Sequence, residues 1–311
     1  MTSSDRTTPL PRRSLLRAGL AATGAAVTAT AFTASAASAA PSARRARQAG
    51  TEELAELEQR HDARLGVYAR NVRTGRTVTH RAEERFAMCS TFKAFAAAAV
   101  LRDQAGCAPL DKVIHYPPRD IIDNSDRTKE HLETGMTVAD LCAAAIQNSD
   151  NAAGNLLLRQ IGGPAGLTRF FRSLGDDVSR LDRWETDLNT AVPGDLRDTT
   201  TPLALAGSLE SLMLGPALRD ADREQLVTWM KGTLTSGERF RARLPREWVV
   251  ADKTGTGSYA SANDIGVVWT TRQTPLVLVV LSCKSTQDAP VDNELVAEAA
   301  RIAADVLAPG E

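Results

Sequence analysis

Residues 248–282 read WVVADKTGTGSYASANDIGVVWTTRQTPLVLVVLS. Three runs rich in Val, Ile, Leu and Trp occupy 248–252, 265–270 and 276–282, and the segments between them are rich in Gly, Ser and Thr. Short β-branched runs bounded by such residues are typical of strands. This stretch therefore predicts three consecutive strands near the C-terminal end of the chain.

The rest of the chain places a helical middle between strands. Residues 65–70 and 77–80 flank a turn at Arg73-Thr74-Gly75, which predicts a β-hairpin. Strands at both ends around a helical middle predict an α+β fold, in which one sheet is built from both ends of the chain. The periodic apolar segments predict helices over 51–63, 92–104, 137–147, 151–161, 167–174, 202–213 and 292–307.

The composition limits the kinds of partner. The chain has 311 residues, with 37 Lys and Arg against 38 Asp and Glu, and a net charge of −1. A surface that follows nucleic-acid phosphates needs a clear basic excess, so a nucleic-acid partner is not expected. Without residues 1–39 the chain has 33 basic and 37 acidic residues, a mildly acidic balance that suits an enzyme acting on small molecules. We also expect a monomer.

Residues 1–39 have the order of an export signal. Arg12-Arg13, an alanine-rich apolar stretch from 18 to about 34, and Ala37-Ser38-Ala39 follow one another, and the arginine pair indicates the twin-arginine route. The alternative is a membrane anchor, but this stretch is interrupted by Gly19 and Gly24 and is barely long enough to span. We therefore predict a cleaved signal peptide and a secreted protein with no stable membrane association after cleavage.

The histidines and cysteines give no sign of a metal or redox site. The four His do not cluster, and the four Cys, at 89, 107, 142 and 283, fit no C-x-x-C pattern. We therefore predict neither a metal nor a cofactor.

Three short motifs carry the chemistry. Ser90-Thr91-Phe92-Lys93 places a lysine one turn after a serine that opens a predicted helix, where the lysine can take the serine proton. Alone this motif is weak, since about one S-x-x-K arises by chance in a chain of this length. Ser149-Asp150-Asn151 and Lys253-Thr254-Gly255 follow in order, and chance supplies all three together only about a few times in a thousand.

In this order the motifs resemble those of class A serine β-lactamases of actinobacterial type, over about residues 50–307. The resemblance implies a β-lactamase-like fold, with a five-stranded antiparallel sheet flanked by helices and an inserted all-helical domain. The sheet domain would comprise 50–85 and 230–308, and the helical domain 86–229. The segment from about 180 to 198 resembles the family's Ω-loop, with Arg183 and Asp198 paired across its neck.

The resemblance also implies catalytic roles and hydrolysis of penicillins and cephalosporins. Ser90 would attack the lactam carbonyl and become acylated, and its proton would leave through Lys93 or through water to Glu185. Ser149 would pass a proton to the leaving nitrogen. Glu185, oriented with Asn189, would activate the water that releases the product.

Substrate-binding residues follow from the same resemblance. Lys253, Thr254, Gly255 and Thr256 would line the substrate, with the Ser90 and Thr256 backbone N–H groups holding the oxyanion and the two threonines binding the carboxylate. Asn151 would bond the substrate's side-chain amide.

One position departs from part of the family. Many members carry a carboxylate-binding arginine where this chain has Ala262, and Arg239 matches an alternative position for it. We therefore expect Arg239 to bind the carboxylate.

Two other functions share the three motifs. A penicillin-binding D-Ala-D-Ala peptidase would also be acylated at Ser90. Peptidases of that class have no counterpart of Glu185 and Asn189, so the presence of this pair favours a β-lactamase. A non-catalytic β-lactam sensor would be held in a membrane by spanning segments, whereas we expect only a cleavable signal in this chain.

Overall fold

The computed structural model describes residues 36–103 and 106–311, with side chains from residue 48 onward. Most of the predicted signal peptide, residues 1–39, lies outside the described residues. Residues 42–311 form one compact unit, and their division into a sheet domain and a helical domain stays a prediction. No described helix combines the length and apolar character that crossing a membrane requires.

Ten helices and nine strands are named along the described residues. The helices are α1 (Ala36–Arg60), α2 (Phe92–Asp103), α3 (Asp126–Glu130), α4 (Val138–Gln147), α5 (Asn151–Gln160), α6 (Gly163–Ser173), α7 (Pro202–Met213), α8 (Asp220–Lys231), α9 (Phe240–Arg243) and α10 (Asn293–Leu307). The strands are β1 (Arg64–Asn71), β2 (Thr77–His80), β3 (Phe86–Ala87), β4 (Val113–Ile114), β5 (Met136–Thr137), β6 (Thr199–Thr200), β7 (Val249–Gly257), β8 (Ser261–Trp269) and β9 (Pro275–Cys283).

Five strands form one antiparallel sheet in the order β2-β1-β9-β8-β7, which confirms the predicted sheet. The hairpin and the three C-terminal strands are the elements that the sequence predicted. Strands β7 and β8 are longer than predicted, because their polar ends also pair, with Thr256 opposite Ala262 and Thr254 opposite Asp264. Thr254, Asn263 and Asp264 in these ends are buried but polar, so the ends carried no apolar strand signal.

Helices cover both faces of the sheet. One core joins the sheet to α2, α4, α5 and α7, and the other joins it to α1, α9 and α10. Helix α2 is buried from Phe92 to Leu101, so it is surrounded by protein on all sides. The residues that begin this central helix therefore have a fixed position.

Several element boundaries differ from the sequence prediction. Helix α1 begins before Thr51, and α6 begins at Gly163 rather than at residue 167. Gly162 has a φ of 86°, which breaks the chain direction after α5, and Pro164 lies in the first turn of α6, where a missing N–H costs nothing. The predicted all-helical segment also contains two-residue strands (β3 to β6), which are too short to leave a periodic pattern.

Candidate active site

Ser90 lies where a short 3-10 turn, Cys89–Thr91, runs into α2. Lys93 follows one turn later on the same face, and its Nζ donates to Ser90 Oγ at 2.9 Å. Cys89 has a φ of 47°, an uncommon left-handed conformation for a residue with a Cβ, and its thiol is buried. The prediction that Lys93 lies one turn after Ser90 on the same face is confirmed.

The ammonium group of Lys93 is fully buried among oxygen atoms. It contacts Asn151 Oδ1 at 2.6 Å, the Ser149 carbonyl at 2.8 Å and Glu185 Oε1 at 2.9 Å. Burial lowers the pKa of Lys93, and the negative charge of Glu185 opposes that shift. A lysine whose charged form is disfavoured gives up its proton more readily and is then able to accept one from a hydroxyl.

Ser149 lies two residues before α5 and joins the two lysines of the site. Lys253 Nζ donates to Ser149 Oγ at 3.0 Å, and Lys93 contacts the Ser149 carbonyl. The φ of Ser149 is 57°, so its backbone is in the left-handed region. Asp150 caps α5 by accepting from the Ala153 N–H at 2.9 Å, which fixes the turn that carries Ser149.

Glu185 faces both the nucleophile and an amide. Its Oε1 accepts from Ser90 Oγ at 3.1 Å, and its Oε2 accepts from Asn189 Nδ2 at 2.5 Å. The Oδ1 atom of Asn189 is buried and has no partner in the described part of the chain. A buried acceptor beside a carboxylate is a place where a bound water would be satisfied.

The Ω-loop is closed at its neck as the sequence predicted. Arg183 Nε donates to Asp198 Oδ2 at 2.6 Å, and the other oxygen of Asp198 accepts from the backbone N–H groups of Asp182 and Arg183. Asp198 is fully buried, so these bonds replace the water that its carboxylate would otherwise hold.

Asn155 is a positioning residue that the sequence analysis missed. Its Oδ1 accepts from the Glu185 N–H at 3.0 Å, and its Nδ2 donates to the Glu185 carbonyl at 3.1 Å. These two bonds tie the backbone of Glu185 to α5. A polar residue one turn into a helix is no signal by itself, because its partner lies 30 residues away in the sequence.

Strand β7 lies at an edge of the sheet and carries the Lys-Thr-Gly motif. Lys253 is fully buried, and burial followed by the positive charge of Lys93 holds the pKa of Lys253 well below its usual value. A Cβ at Gly255 would come within 3.0 Å of the Met88 carbonyl and 3.1 Å of the Thr91 side chain. A side chain at this position would crowd the turn that carries Ser90, so glycine favours the close approach of β7 to that turn.

Arg239 reaches the same strand from the segment before α9. Its Nη1 donates to the carbonyls of Gly255 and Asn263, at 2.8 and 2.7 Å, and its Nη2 donates to Thr256 Oγ1 at 2.7 Å. Arg239 is 5% exposed, whereas Thr256 lies at the surface. Burial lowers the pKa of Arg239.

The predicted residues form two connected groups. One comprises Ser90, Lys93, Ser149, Asn151, Glu185, Asn189 and Lys253. The other comprises Arg239, Gly255 and Thr256. The hydroxyl of Thr254 is bonded to Thr235, 2.5 Å away, a partner that the sequence analysis did not anticipate.

A serine–lysine pair, a Ser-x-Asn turn and a Lys-Thr-Gly strand brought together in this order define the class of penicillin-recognising serine enzymes. Residues 49–307 match the model of the β-lactamase enzyme family. A β-lactamase from Streptomyces lavendulae is 50% identical, over 95% of this chain and 97% of that protein. The carbapenem-hydrolysing β-lactamase KPC of Klebsiella oxytoca is 50% identical, over 82% of this chain and 88% of that protein.

Solved structures agree with these sequence comparisons. The β-lactamase from Streptomyces albus G is similar with a TM-score of 0.81 and 49% identity, over 83% of this chain and 99% of that one. The chain belongs to the β-lactamase enzyme family. It is a class A β-lactamase, a hydrolase that opens β-lactam rings and gives antibiotic resistance.

Proposed function

We propose that this enzyme hydrolyses penicillins and cephalosporins through an ester formed on Ser90. The observation that carries the proposal is that Ser90 Oγ lies 2.9 Å from Lys93 Nζ and 3.1 Å from Glu185 Oε1. A hydroxyl becomes a useful nucleophile only when a base takes its proton during the attack. Both groups are within reach, so Lys93, or Glu185 through a water, removes the proton.

The oxyanion of the tetrahedral intermediate is held by the backbone N–H groups of Ser90 and Thr256. The close approach of Gly255 to Met88 and Thr91 supports this assignment, because it brings β7 beside the start of α2. Such donors act on the charge that develops during the attack, and no movement of the backbone is needed.

Ser149 passes a proton to the ring nitrogen as the amide bond breaks. The contact of its hydroxyl with Lys253 Nζ supports this role, since a nearby cation favours the alkoxide character that proton transfer requires. Asn151 bonds the substrate's side-chain amide, and its own amide oxygen already accepts from Lys93.

The substrate's carboxylate is bound by Thr254, Thr256 and Arg239. Arg239 Nη2 donates to the hydroxyl of the exposed residue Thr256 at 2.7 Å, which supports a joint hydrogen-bonding site for an anion.

Release of the product requires water to attack the Ser90 ester. Glu185 activates that water, and the unpartnered Oδ1 of Asn189 supports its placement between the two side chains. This step separates a β-lactamase from an enzyme that stays acylated.

The location of the protein is part of the same proposal. Export through the twin-arginine signal of residues 1–39 would deliver a monomeric enzyme to the outside, where it meets antibiotics before they reach the cell wall. Because the Klebsiella relative is named as carbapenem-hydrolysing, imipenem belongs beside benzylpenicillin and a cephalosporin in a panel of kcat/KM values.

The test is mass spectrometry after mixing with benzylpenicillin. The wild type should turn over without a lasting adduct, Glu185→Ala should accumulate an adduct on Ser90, and Ser90→Ala should show none. Asp187→Ala removes an exposed acid two residues from Glu185 and should behave as the wild type. A lasting adduct on the wild type would contradict turnover, and normal turnover by Glu185→Ala would contradict the role of Glu185.

A further inference from the structure

Asp264 is a fully buried aspartate on β8 that the chemistry above does not use. Its Oδ2 accepts from the backbone N–H of Phe240 at 3.2 Å. Its Oδ1 has no partner in the described part of the chain. A buried carboxyl group is costly to keep, so the one bond that it makes points to a function.

That bond caps the short helix α9. The first N–H groups of a helix have no partner within the helix, and a side-chain oxygen at the preceding residue usually accepts from one of them. The preceding residue here is Arg239, whose guanidinium has donors only and makes no such bond. Asp264 supplies the acceptor from the neighbouring sheet.

Two successive residues of β8 thus hold Arg239 from both sides. The Asn263 carbonyl accepts from its guanidinium, and the Asp264 carboxyl holds the backbone N–H that follows it. The Asp264 carboxyl fixes the position of the backbone that follows Arg239, and the Asn263 carbonyl fixes the position of its guanidinium.

The guanidinium keeps its charge and one donor for a ligand. Four of its five N–H groups donate to Asn293 Oδ1, the Gly255 and Asn263 carbonyls and Thr256 Oγ1, all of which are neutral. The remaining N–H is on Nη2, the nitrogen beside the exposed Thr256. Burial and the negative charge of Asp252 raise the pKa of Asp264 well above its usual value, and the guanidinium of Arg239 opposes that shift.

We propose that Asp264 is a positioning residue for substrate binding. Its cap on α9 fixes the backbone next to Arg239, and this places Arg239 Nη2 within hydrogen-bonding distance of the substrate's carboxylate. This inference rests on the proposed role of Arg239. Asp264 touches no substrate, so its effect should fall on KM and should require both Arg239 and a carboxylate on the substrate.

The experiment measures kcat and KM for benzylpenicillin and for its methyl ester, which has no free carboxylate. Arg239→Ala should raise the KM for benzylpenicillin by on the order of tenfold. Asp264→Ala should raise it by on the order of fivefold with kcat within about twofold of the wild type. Asp264→Asn should restore KM, because its amide oxygen still accepts from the Phe240 N–H. With the ester, Asp264→Ala and the wild type should have the same KM.

The matched control is Asp176→Ala. Asp176 is also buried and accepts backbone N–H groups, those of Val178 and Ser179, but it lies outside the site. Asp176→Ala should leave the KM for benzylpenicillin unchanged.

The double variant tests whether Asp264 acts through Arg239. In the Arg239→Ala background, Asp264→Ala should cause no further rise in KM.

The possible failures are distinguishable. If Arg239→Ala leaves KM unchanged, the proposed role of Arg239 is wrong and the inference falls with it. If Arg239→Ala raises KM and Asp264→Ala does not, or if the ester shows the same rise, only the inference is overturned. Should Asp264→Ala fail to fold, Asp264→Glu carries the test: its longer side chain shifts the cap, so KM must rise for benzylpenicillin and not for the ester.

Discussion

Lys93 Nζ lies 2.9 Å from Glu185 Oε1, and both side chains are completely shielded from solvent. The two residues come from a central helix and from the Ω-loop, so this ion pair joins two elements that carry proposed catalytic residues. Removing one partner of such a pair leaves an uncompensated charge in the interior.

The first prediction concerns that pair. Lys93→Met should lower the free energy of unfolding by about 3 kcal/mol or more. The double variant Lys93→Met/Glu185→Gln should lose less than the sum of the two single variants, because it leaves no buried charge unpaired. Urea denaturation of Lys93→Met, Glu185→Gln and the double variant measures the three losses in the free energy of unfolding.

An exposed ion pair is the control for this cycle. Arg127 and Glu130 are paired at 2.5 Å with side chains 46% and 58% exposed. Arg127→Met should therefore cost less than about 1 kcal/mol. If the double variant lost as much free energy of unfolding as the two single variants together, Lys93 and Glu185 would not be energetically coupled.

The second prediction concerns Asn155, which holds both backbone polar groups of Glu185. Asn155→Ala should lower kcat by about 10- to 100-fold, since a small displacement of Glu185 misplaces the hydrolytic water. Quenched mass spectrometry in the steady state should find acylated Ser90. Gln160→Ala, which removes only a bond to Leu156 from the same helix, should leave deacylation unchanged.

The third prediction concerns the pH dependence of stability. The pKa of Lys253 is lowered in the folded protein, so the unfolded chain binds more protons between that pKa and about 10.4. Below the folded pKa, the buried charge of Lys253 lowers the free energy of unfolding by its full amount. This loss shrinks as the pH rises from the folded pKa toward about 10.4. Lys253→Met should therefore raise Tm more at pH 7 than at pH 10.

Thermal unfolding of both proteins at the two pH values tests this sign. The exposed Lys129 provides the comparison, and Lys129→Met should change Tm by the same small amount at both values. A Tm difference for Lys253→Met that grows toward pH 10 would contradict the prediction.

The fourth prediction separates backbone strain from chemistry at Ser149, whose φ is 57°. Ser149→Gly should be more stable than Ser149→Ala by about 1 kcal/mol, because glycine adopts the left-handed region without a steric cost. Both variants should lose activity with the hydroxyl. Chemical denaturation of the pair is the measurement.

Gly207 supplies the opposite case. It lies in α7, and a Cβ added there would meet no atom of the described residues within 4 Å. Gly207→Ala should therefore stabilise the protein by about 0.5–1 kcal/mol.

The contradicting outcome concerns Ser149. Equal stability of Ser149→Gly and Ser149→Ala would show that the backbone of residue 149 carries no strain.

The sequence predicted much of this molecule from local patterns. Apolar runs located the strands of the sheet, and the order of the three motifs located Ser90, Ser149 and Lys253. The spacing of Ser90 and Lys93 placed both side chains on one face of a helix, and their contact follows from helix geometry alone. The pair Arg183 and Asp198 was predicted from the resemblance of the loop, and it is present.

Other features were beyond local patterns, since they depend on partners far apart in the sequence. Asn155 and Asp264 are ordinary polar residues until folding brings Glu185 and Phe240 beside them. The polar ends of β7 and β8 had no apolar periodicity, and only their pairing in the sheet makes them strands.

The sequence by itself determined the order of the elements and the placing of Ser90 and Lys93 one helical turn apart, because helix spacing and turn chemistry act over a few residues. Only the tertiary structure decided that Lys93 and Lys253 are fully buried and that Arg239 is held by neutral acceptors. Burial and the placing of distant charges set the pKa values of these groups, and both arise when the helices pack against the sheet.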